Sequence, residues 1–457
     1  MNQDLNISTT LFISPSPSPP SPLLLPLSHI DNDRNLRLTF RTLRIYSPPL
    51  SDSDAFKTFT GALSKALSLY YPLAGTLVND SGRLAVRCSI DDTVPLTYAT
   101  SPLRLGSFQT EPASDFLNRL APDLDLGREL SYPLALQLTC FTCGGLALGM
   151  CVHHALCDGA GATKFLSAVA QFARGEDQVG FVPEPVWDRV SLLGPRSPAC
   201  VEVDFGEFLS FDEGNRVYVG NEEGVVLREC FHVNEVCLNR FRNCLREECG
   251  SSFTAFEALG AFIWRARVKA AGMANEEIVK FAYSMNISKI LKPALPNGYW
   301  GNICVPVYVK LTVKQLLQQP IWETAEMIKE SKTSVTDEYV RSYIDFQELH
   351  HAKGITAGKF VSGFTDWRHL GHAEVDFGWG SPVSVLPLSW RILGSAEPTF
   401  FLPYGREDGG KKEGFKVLVC LQENAKKAFS SEMEVFKTEE NKNVTSCQVD
   451  AHNLSKV

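Results

Sequence analysis

The sequence predicts an α/β protein of two domains, each built on a mixed β-sheet flanked by helices, with a cleft between the sheets. The first observation behind this prediction is the length of 457 residues, more than a single hydrophobic core usually supports. The second is that helix-like and strand-like patterns are mixed in both halves of the chain. The third is that residues 181–224, rich in proline, glycine and acidic side chains, show no sustained period, which is typical of a connection between domains.

Apolar spacing and turn residues predict the elements of the first half. They are a helix over 53–70, a strand over 82–88, an antiparallel hairpin over 133–152 and a helix over 161–172. The hairpin turn is Cys143-Gly144-Gly145. Before these elements, residues 13–26 alternate serine and proline, which predicts a stiff extended lead-in rather than a folded element.

The second half of the chain shows a similar mixture of predicted helices and strands. Its predicted elements are a strand over 229–233, helices over 234–248 and 254–271, and strands over 279–285, 303–311, 383–388 and 415–421. We therefore place a first domain at residues 1–185, a crossover linker at 186–225 and a second domain at 226–457.

Composition limits the class of protein. A net charge of −8 gives no electrostatic case for a nucleic-acid partner, and no apolar run reaches the roughly 18 residues that a membrane span needs. Thirteen cysteines, an odd number without regular spacing, indicate reduced thiols rather than a secreted disulfide framework. We expect a cytoplasmic monomer with neither nucleic acid nor membrane as a partner.

Residues 153–159, which read HHALCDG, are the most informative stretch of the chain. They follow the apolar run 144–152 and precede the predicted helix at 161. A histidine at the end of a strand can present one ring nitrogen to a cleft, and imidazole exchanges a proton near neutral pH. Gly159 lets a ligand approach the backbone closely. This pattern favours His154 as a general base, with a core histidine bonded to a backbone carbonyl as the alternative.

A zinc site is the rival interpretation of the same stretch. Cys151, His153, His154 and Cys157 are four possible ligands within seven residues, but the second ligand pair of a structural zinc site is missing. A serine hydrolase lacks its signature, because no G-x-S-x-G motif occurs. Neither common phosphate-loop motif occurs.

A second informative stretch lies towards the C-terminus, where Thr365-Asp366-Trp367-Arg368 precedes Asp376-Phe377-Gly378-Trp379-Gly380. A tryptophan between glycines usually packs in a loop. Its indole N–H is also a donor that can serve an oxyanion.

Together, H-x-x-x-D-G at 154–159 and D-F-G-W-G at 376–380 resemble the BAHD family of plant acyl-CoA-dependent acyltransferases. Shorter phrases extend the resemblance over nearly the whole chain; they lie at 27–31, 71–75, 185–189, 253–257 and 299–302. The resemblance implies two chloramphenicol-acetyltransferase-like domains joined by a long crossover loop, with an active-site channel at their interface.

The resemblance also implies roles for individual residues. Catalysis would rest on His154 as the general base, with Asp376 grouped beside it although its motif is thought to be mainly architectural in the family. The oxyanion donors would be Thr365, Trp367 or Trp379. The supporting residues would be Asp158, Gly159, Gly378 and Trp379. No metal and no permanently bound cofactor is implied, and acyl-CoA would be a co-substrate.

By the same likeness, the coenzyme A phosphates would lie at Ser251, Ser252 and Thr254, at the start of a predicted helix. The sequence departs from the family pattern at Ser288, where an arginine is expected. The resemblance implies that Asp158 pairs with a basic group of the second domain, so its partner stays open, with Lys289 as one candidate.

The function implied is transfer of an acyl group from a CoA thioester to a hydroxyl or amine of a plant specialised metabolite. We expect an aromatic acyl group, hydroxycinnamoyl or benzoyl, with acetyl as the alternative. Two other functions stay open from the sequence. One is a non-catalytic relative that binds a ligand or partner through the same channel, and the other is the zinc-dependent enzyme.

Overall fold

The computed structural model describes residues 4–19, 22–47, 55–105, 115–124, 128–176, 183–211, 226–395, 397–404 and 414–437. The elements of the first half are β1 (Asn6–Ile13), β2 (Leu23–Pro26), β3 (Thr39–Tyr46), α1 (Ala55–Leu69), β4 (Thr76–Asp80), β5 (Arg83–Cys88), β6 (Val94–Ser101), α2 (Asp115–Asn118), α3 (Arg128–Ser131), β7 (Leu134–Phe141), β8 (Leu146–His153) and α4 (Gly159–Ala173).

The remaining elements are α5 (Arg189–Leu193), β9 (Ser210–Phe211), β10 (Val226–Asn234), α6 (Glu235–Cys249), α7 (Ala255–Ala271), β11 (Ile278–Asn286), β12 (Cys304–Thr312), α8 (Val313–Gln318), α9 (Ile321–Thr333), α10 (Asp337–His350), β13 (Ile355–Thr356), β14 (Val361–Asp366), β15 (Ser384–Pro387), β16 (Thr399–Leu402), β17 (Gly414–Gln422) and α11 (Lys426–Met433).

The first sheet has six strands in the order β1-β6-β7-β8-β3-β15. The β6–β7 pair is parallel, and the other four pairs are antiparallel. Helices α1 and α4 contribute buried apolar side chains to the core that covers one face, where Phe59 and Phe165 are fully buried. The edge strand β15 belongs to the second half of the chain but pairs with β3, so the two halves interlock.

The second sheet also has six strands, in the order β10-β17-β16-β14-β11-β12. Here β14 is parallel to both of its neighbours, and the other pairs are antiparallel. Helices α6, α7, α9 and α11 bury their apolar faces in the core of this half, which contains Trp264 and Phe281. The prediction of two mixed sheets flanked by helices is confirmed.

The predicted hairpin and helices correspond to β7–β8, α1, α4, α6 and α7. The prediction of an unfolded lead-in over 13–26 is wrong in part, since Leu23–Pro26 pairs with β5 in a three-stranded sheet with β4. Of the predicted linker, residues 212–225 lie outside the described residues, and the described part contains α5 and β9. The boundaries at 185 and 225 stay a prediction.

A third apolar cluster draws on both sheets and joins the halves. It combines Phe40 and Leu43 of β3 with Leu386 of β15, Phe400 of β16, and Trp367 just after β14. This cluster fixes the facing sheets relative to each other, and the candidate site lies beside it.

Candidate active site

The loop that carries His154 is anchored at both ends within the first half. Strand β8 is buried along its whole length and ends at His153, because its continuous apolar run suits a central strand. The next backbone N–H, that of His154, donates to the Leu38 carbonyl at 2.8 Å. Four residues on, Asp158 caps α4 and accepts a hydrogen bond from the Gly161 N–H at 2.9 Å.

The second half of the chain holds the same loop from the other side. The Asn302 side-chain amide donates to the His154 carbonyl and to the Asp31 carboxylate, each at 2.9 Å. The Trp300 indole donates to the Gly161 carbonyl at 2.9 Å. The backbone of the histidine loop is therefore fixed by contacts that cross between the halves.

Asp31 is the centre of this support. Its carboxylate pairs with Arg189 at 3.0 Å, and the two side chains are 0% and 2% exposed. It also accepts from the Asn302 N–H and from the Ser28 hydroxyl. Three phrases of the sequence, at 27–31, 185–189 and 299–302, thus meet behind His154. Sequence reasoning noted these phrases but assigned them no role, since spacing cannot reveal that they meet.

The structure supplies the partners of Asp158. The second carboxylate oxygen accepts from the Ile303 N–H at 3.1 Å and from the Cys304 thiol at 3.5 Å. The expected pairing with Lys289 is wrong, because backbone donors at the start of α4 and at Ile303 already occupy both oxygens. Ser288 instead donates to the Asn286 side chain at 2.6 Å.

A cavity of about 520 Å³ lies between the two sheets, and His154 is part of its wall. Phe40 of β3 lies edge-on to the imidazole, with ring centroids 5.8 Å apart and planes at 88°. The second half contributes Tyr283, Thr365 and Trp367, among other residues. A site of this kind encloses a small molecule between the halves of the chain.

The environment of His154 favours a neutral imidazole. Burial lowers the pKa of His154 below its ordinary 6.5, and the negative charge of Asp158 partly opposes that shift. At neutral pH the ring is therefore deprotonated and able to accept a proton. This is the state that a general base requires.

The structure separates the predicted oxyanion donors. Thr365 and Trp367 line the cavity, and the Trp367 ring lies 6.0 Å from that of Phe40. Trp379 is absent from the described cavity wall and packs in the core of the first half against Tyr46, at 5.3 Å, and Phe377, at 4.9 Å. Its packing there corrects the prediction that Trp379 serves the oxyanion and leaves it a supporting role.

Asp376 likewise closes a turn instead of reaching the cavity. Its carboxylate accepts from the N–H groups of Gly378 and Gly380, each at 2.8 Å. Gly378 has a φ of +91°, a backbone conformation that favours glycine. Among the described residues of the cavity wall Asp376 does not occur. The structure gives Asp376 an architectural position, which corrects its grouping with His154 as catalytic. Gly159, by contrast, opens α4 at the cavity wall.

The predicted coenzyme A residues lie at the start of α7. Thr254 is the cap of this helix and forms a capping box with Glu257, whose carboxylate also binds Lys332 at 2.7 Å. The described wall of the cavity includes Phe256 and Lys332 but not Ser251, Ser252 or Thr254. The contacts of these three residues with coenzyme A stay a prediction.

The histidine stretch does not form a cluster of metal ligands. Within the described ranges, no three His, Cys, Asp or Glu side chains are arranged to hold a metal ion. Burial raises the pKa of the Cys151 thiol to about 11 and that of Cys157 well above its ordinary value. Burial also lowers the pKa of His153 to about 4.

None of the helices that the structure describes has the length and apolar character to span a membrane.

Known proteins resemble this chain over nearly all of its length. The model of the family described as Transferase family matches residues 4–436. The chain is a BAHD acyltransferase. It is 32% identical to the 3'-N-debenzoyl-2'-deoxytaxol N-benzoyltransferase of Taxus canadensis over 438 residues, 92% of this chain and 94% of that protein. It is 30% identical to the spermidine coumaroyl-CoA acyltransferase of Arabidopsis thaliana over 435 residues, 90% of this chain and 92% of that protein.

Solved structures share the fold of this BAHD chain. Vinorine synthase matches with a TM-score of 0.71 at 19% identity, covering 95% of this chain and 98% of that one. F. graminearum TRI101, complexed with coenzyme A and deoxynivalenol, matches with a TM-score of 0.70 at 15% identity, covering 90% of this chain and 97% of that one. The chain is therefore an enzyme that transfers acyl groups.

Proposed function

We propose that this acyltransferase moves an aromatic acyl group from its CoA thioester to a hydroxyl or amine of a small plant metabolite, with His154 as the general base. The observation that carries the proposal is the position of His154. Its backbone is fixed by Leu38 and Asn302, its ring lines a cavity between the two sheets, and burial lowers its pKa.

The chemistry needs one group that takes a proton and returns it. The neutral imidazole removes the proton of the acceptor O–H or N–H as the acceptor attacks the thioester carbonyl. The carbonyl becomes an oxyanion, for which Thr365 and Trp367 supply donors from the cavity wall. When the tetrahedral intermediate collapses, the C–S bond breaks and the coenzyme A thiolate takes the proton from His154. The imidazole is then neutral again, and neither a metal nor a covalent acyl-enzyme is needed.

One relative, 32% identical over 449 residues, is the taxadien-5-alpha-ol O-acetyltransferase of Taxus cuspidata. The names of two others favour an aromatic acyl group, because one is an N-benzoyltransferase and the other a coumaroyl-CoA acyltransferase of spermidine. Both names also describe nitrogen acceptors. Acetyl transfer and alcohol acceptors remain the alternatives that the test below compares.

For the acyl donor, we propose that coenzyme A binds at Ser251, Ser252 and Thr254. Helix α7 begins immediately after Thr254, so its N-terminal N–H groups and positive dipole end favour phosphate. Phe256, in the first turn, belongs to the cavity wall and connects this helix end to the site of transfer. We also propose that the protein is located in the cytoplasm and is active as a monomer.

The test is a screen of benzoyl-, coumaroyl- and acetyl-CoA against pooled amines and alcohols, with free thiol release and product mass as the two readouts. We expect a product with an aromatic acyl group. If no pairing releases coenzyme A while the protein still binds acyl-CoA, the chain is a non-catalytic binding relative and the proposal is wrong.

A further inference from the structure

A buried arginine of β3 faces the cavity without a counter-charge. Alternation along the strand places Phe40, Thr42 and Arg44 on the side that lines the cavity. Arg44 is 1% exposed, and its hydrogen bonds run to the Thr42 hydroxyl at 3.4 Å and to His372 Nδ1 at 2.8 Å. Within the described ranges, no carboxylate forms an ion pair with this guanidinium.

The neighbouring His372 does not neutralise Arg44. Its Nδ1 lies 2.8 Å from the Arg44 guanidinium and 2.7 Å from the Thr163 hydroxyl, which itself donates to the Gly159 carbonyl at 2.9 Å. Burial and the charge of Arg44 lower the pKa of His372, which keeps the imidazole neutral. In the described part of the chain, neither His372 Nε2 nor Arg44 Nε has a hydrogen-bond partner.

The carboxylates of the cavity wall do not offset this charge. Asp158 is bonded to backbone N–H groups, Asp33 to Asn35 and the Tyr343 hydroxyl, and Asp366 to Arg368. A buried cation with unpaired donors destabilises the folded state unless an anion completes the arrangement. The guanidinium of an arginine is a planar fork of N–H donors that suits the two oxygens of a carboxylate.

We propose that Arg44, supported by the neutral imidazole of His372, binds a carboxylate carried by one of the two substrates. This inference rests on the proposed function and narrows its substrate class. The carboxylate lies away from the reacting centre, because Arg44 is four residues along β3 from Phe40, about 13 Å at the usual strand rise.

Aromatic rings line the intervening wall. The Trp367 ring lies 4.6 Å from that of His372 and 6.0 Å from that of Phe40, which contacts His154. The substrate that fits is a carboxylate joined by an apolar, flat body to the group that reacts.

Matched substrates test the proposal in two arms. In the acceptor arm, hydroxymethyl-biphenyl-carboxylic acid is compared with its methyl ester, using benzoyl-CoA as the donor. In the donor arm, 4'-carboxybiphenyl-4-carbonyl-CoA is compared with biphenyl-4-carbonyl-CoA, using the neutral ester as the acceptor. We expect the charged member to be preferred about tenfold or more in kcat/KM in one arm, which tells which substrate carries the carboxylate. No preference in either arm would overturn the proposal.

Variants assign the preference to the site. Arg44→Met should reduce the ratio of the kcat/KM values for the charged and the neutral substrate to within about threefold of unity, since it removes the guanidinium that binds the carboxylate. Arg41→Met is the matched control, because Arg41 lies on the same strand but donates to the Pro122 and Ala121 carbonyls instead of facing the cavity. It should keep the wild-type ratio. A ratio that survives Arg44→Met would refute the assignment, and if Arg44→Met does not fold, Arg44→Lys takes its place.

A binding measurement separates this proposal from the proposed function. Biphenyl carboxylate should raise the melting temperature of the wild-type protein more than biphenyl carboxamide at the same concentration. Equal shifts would overturn the carboxylate site even if acyl transfer is observed. A carboxylate-specific shift without any release of coenzyme A would leave the site standing and contradict the proposed function.

Discussion

Replacing Asp158 with alanine should destabilise the protein far more than the loss of a helix cap. The carboxylate caps α4 through the Gly161 N–H at 2.9 Å, an interaction that contributes about 1 kcal/mol. It also accepts from the Ile303 N–H at 3.1 Å, a donor that the variant leaves without its partner between the halves, at a further cost of about 1–3 kcal/mol. We therefore expect Asp158→Ala to lower the free energy of unfolding by about 2–4 kcal/mol.

Asp188→Ala is the matched control, because Asp188 caps the short helix α5 through the Ser191 N–H and is exposed. Its loss should cost about 1 kcal/mol or less. Guanidinium unfolding followed by tryptophan fluorescence, with the melting temperature as a second readout, compares the two variants. An equal cost in both would refute the reasoning that Asp158 joins the halves.

Asp158→Ala should also change the pH dependence of catalysis, which a purely structural role of Asp158 would not do. Since the charge of Asp158 raises the pKa of His154, removing it should lower that pKa further. The acid limb of the kcat/KM profile should then move to lower pH than in the wild type. An unmoved limb would mean that Asp158 does not act on the imidazole.

Three other substitutions test the remaining assignments. Asn302→Ala removes the amide that holds the His154 carbonyl and Asp31, so kcat/KM should fall about ten- to hundredfold in steady-state assays; an unchanged value would mean that this hold is unnecessary. Trp379→Phe should keep kcat within about twofold, because Trp379 packs in the core and the smaller aromatic ring keeps part of its packing; a loss of a hundredfold would restore it as an oxyanion donor. Burial lowers the pKa of His153 to about 4, so the folded state binds fewer protons than the unfolded one, and the resulting stability is present above about pH 6.5 and is lost as the pH falls towards 4. His153→Asn, which keeps an acceptor for the Ala155 N–H, should remove about 2 kcal/mol from the difference in unfolding free energy between pH 7 and pH 5; an unchanged difference would contradict the assignment.

Local periodicity was enough to predict much of the fold. Helices α4 and α7 and the hairpin β7–β8 have strong patterns, and each was predicted to within about two residues. The pairing of β15 with β3 has no local signature, because it joins Leu386 to Leu43 across most of the chain. The sequence does not predict the short strand β2, because Pro22 before it and Pro26 at its end favour an extended chain whether or not it pairs.

The residues of the candidate site could likewise be predicted only in part from the sequence. His154 could be predicted because its motif is local, whereas Trp367 and Trp379 could not be told apart, since only tertiary packing sends one to the cavity and the other to the core. Arg41 and Arg44 pose the same difficulty within one strand. Their different surroundings follow from the pleat of β3 and from the segments that each face meets, neither of which the sequence displays.

The central claim is that His154 takes the proton of the acceptor, and the most direct measurement compares kcat in the wild type and in His154→Ala over a range of pH. We expect the variant to fold normally and to lose at least a hundredfold in kcat. In the wild type, kcat/KM should decrease as the pH is lowered, with an apparent pKa below 6.5, because burial lowers the pKa of this imidazole. The variant should lack this decrease on the acid side of the profile. A His154→Ala protein that turns over at a nearly normal rate, with the same pH profile, would contradict the account.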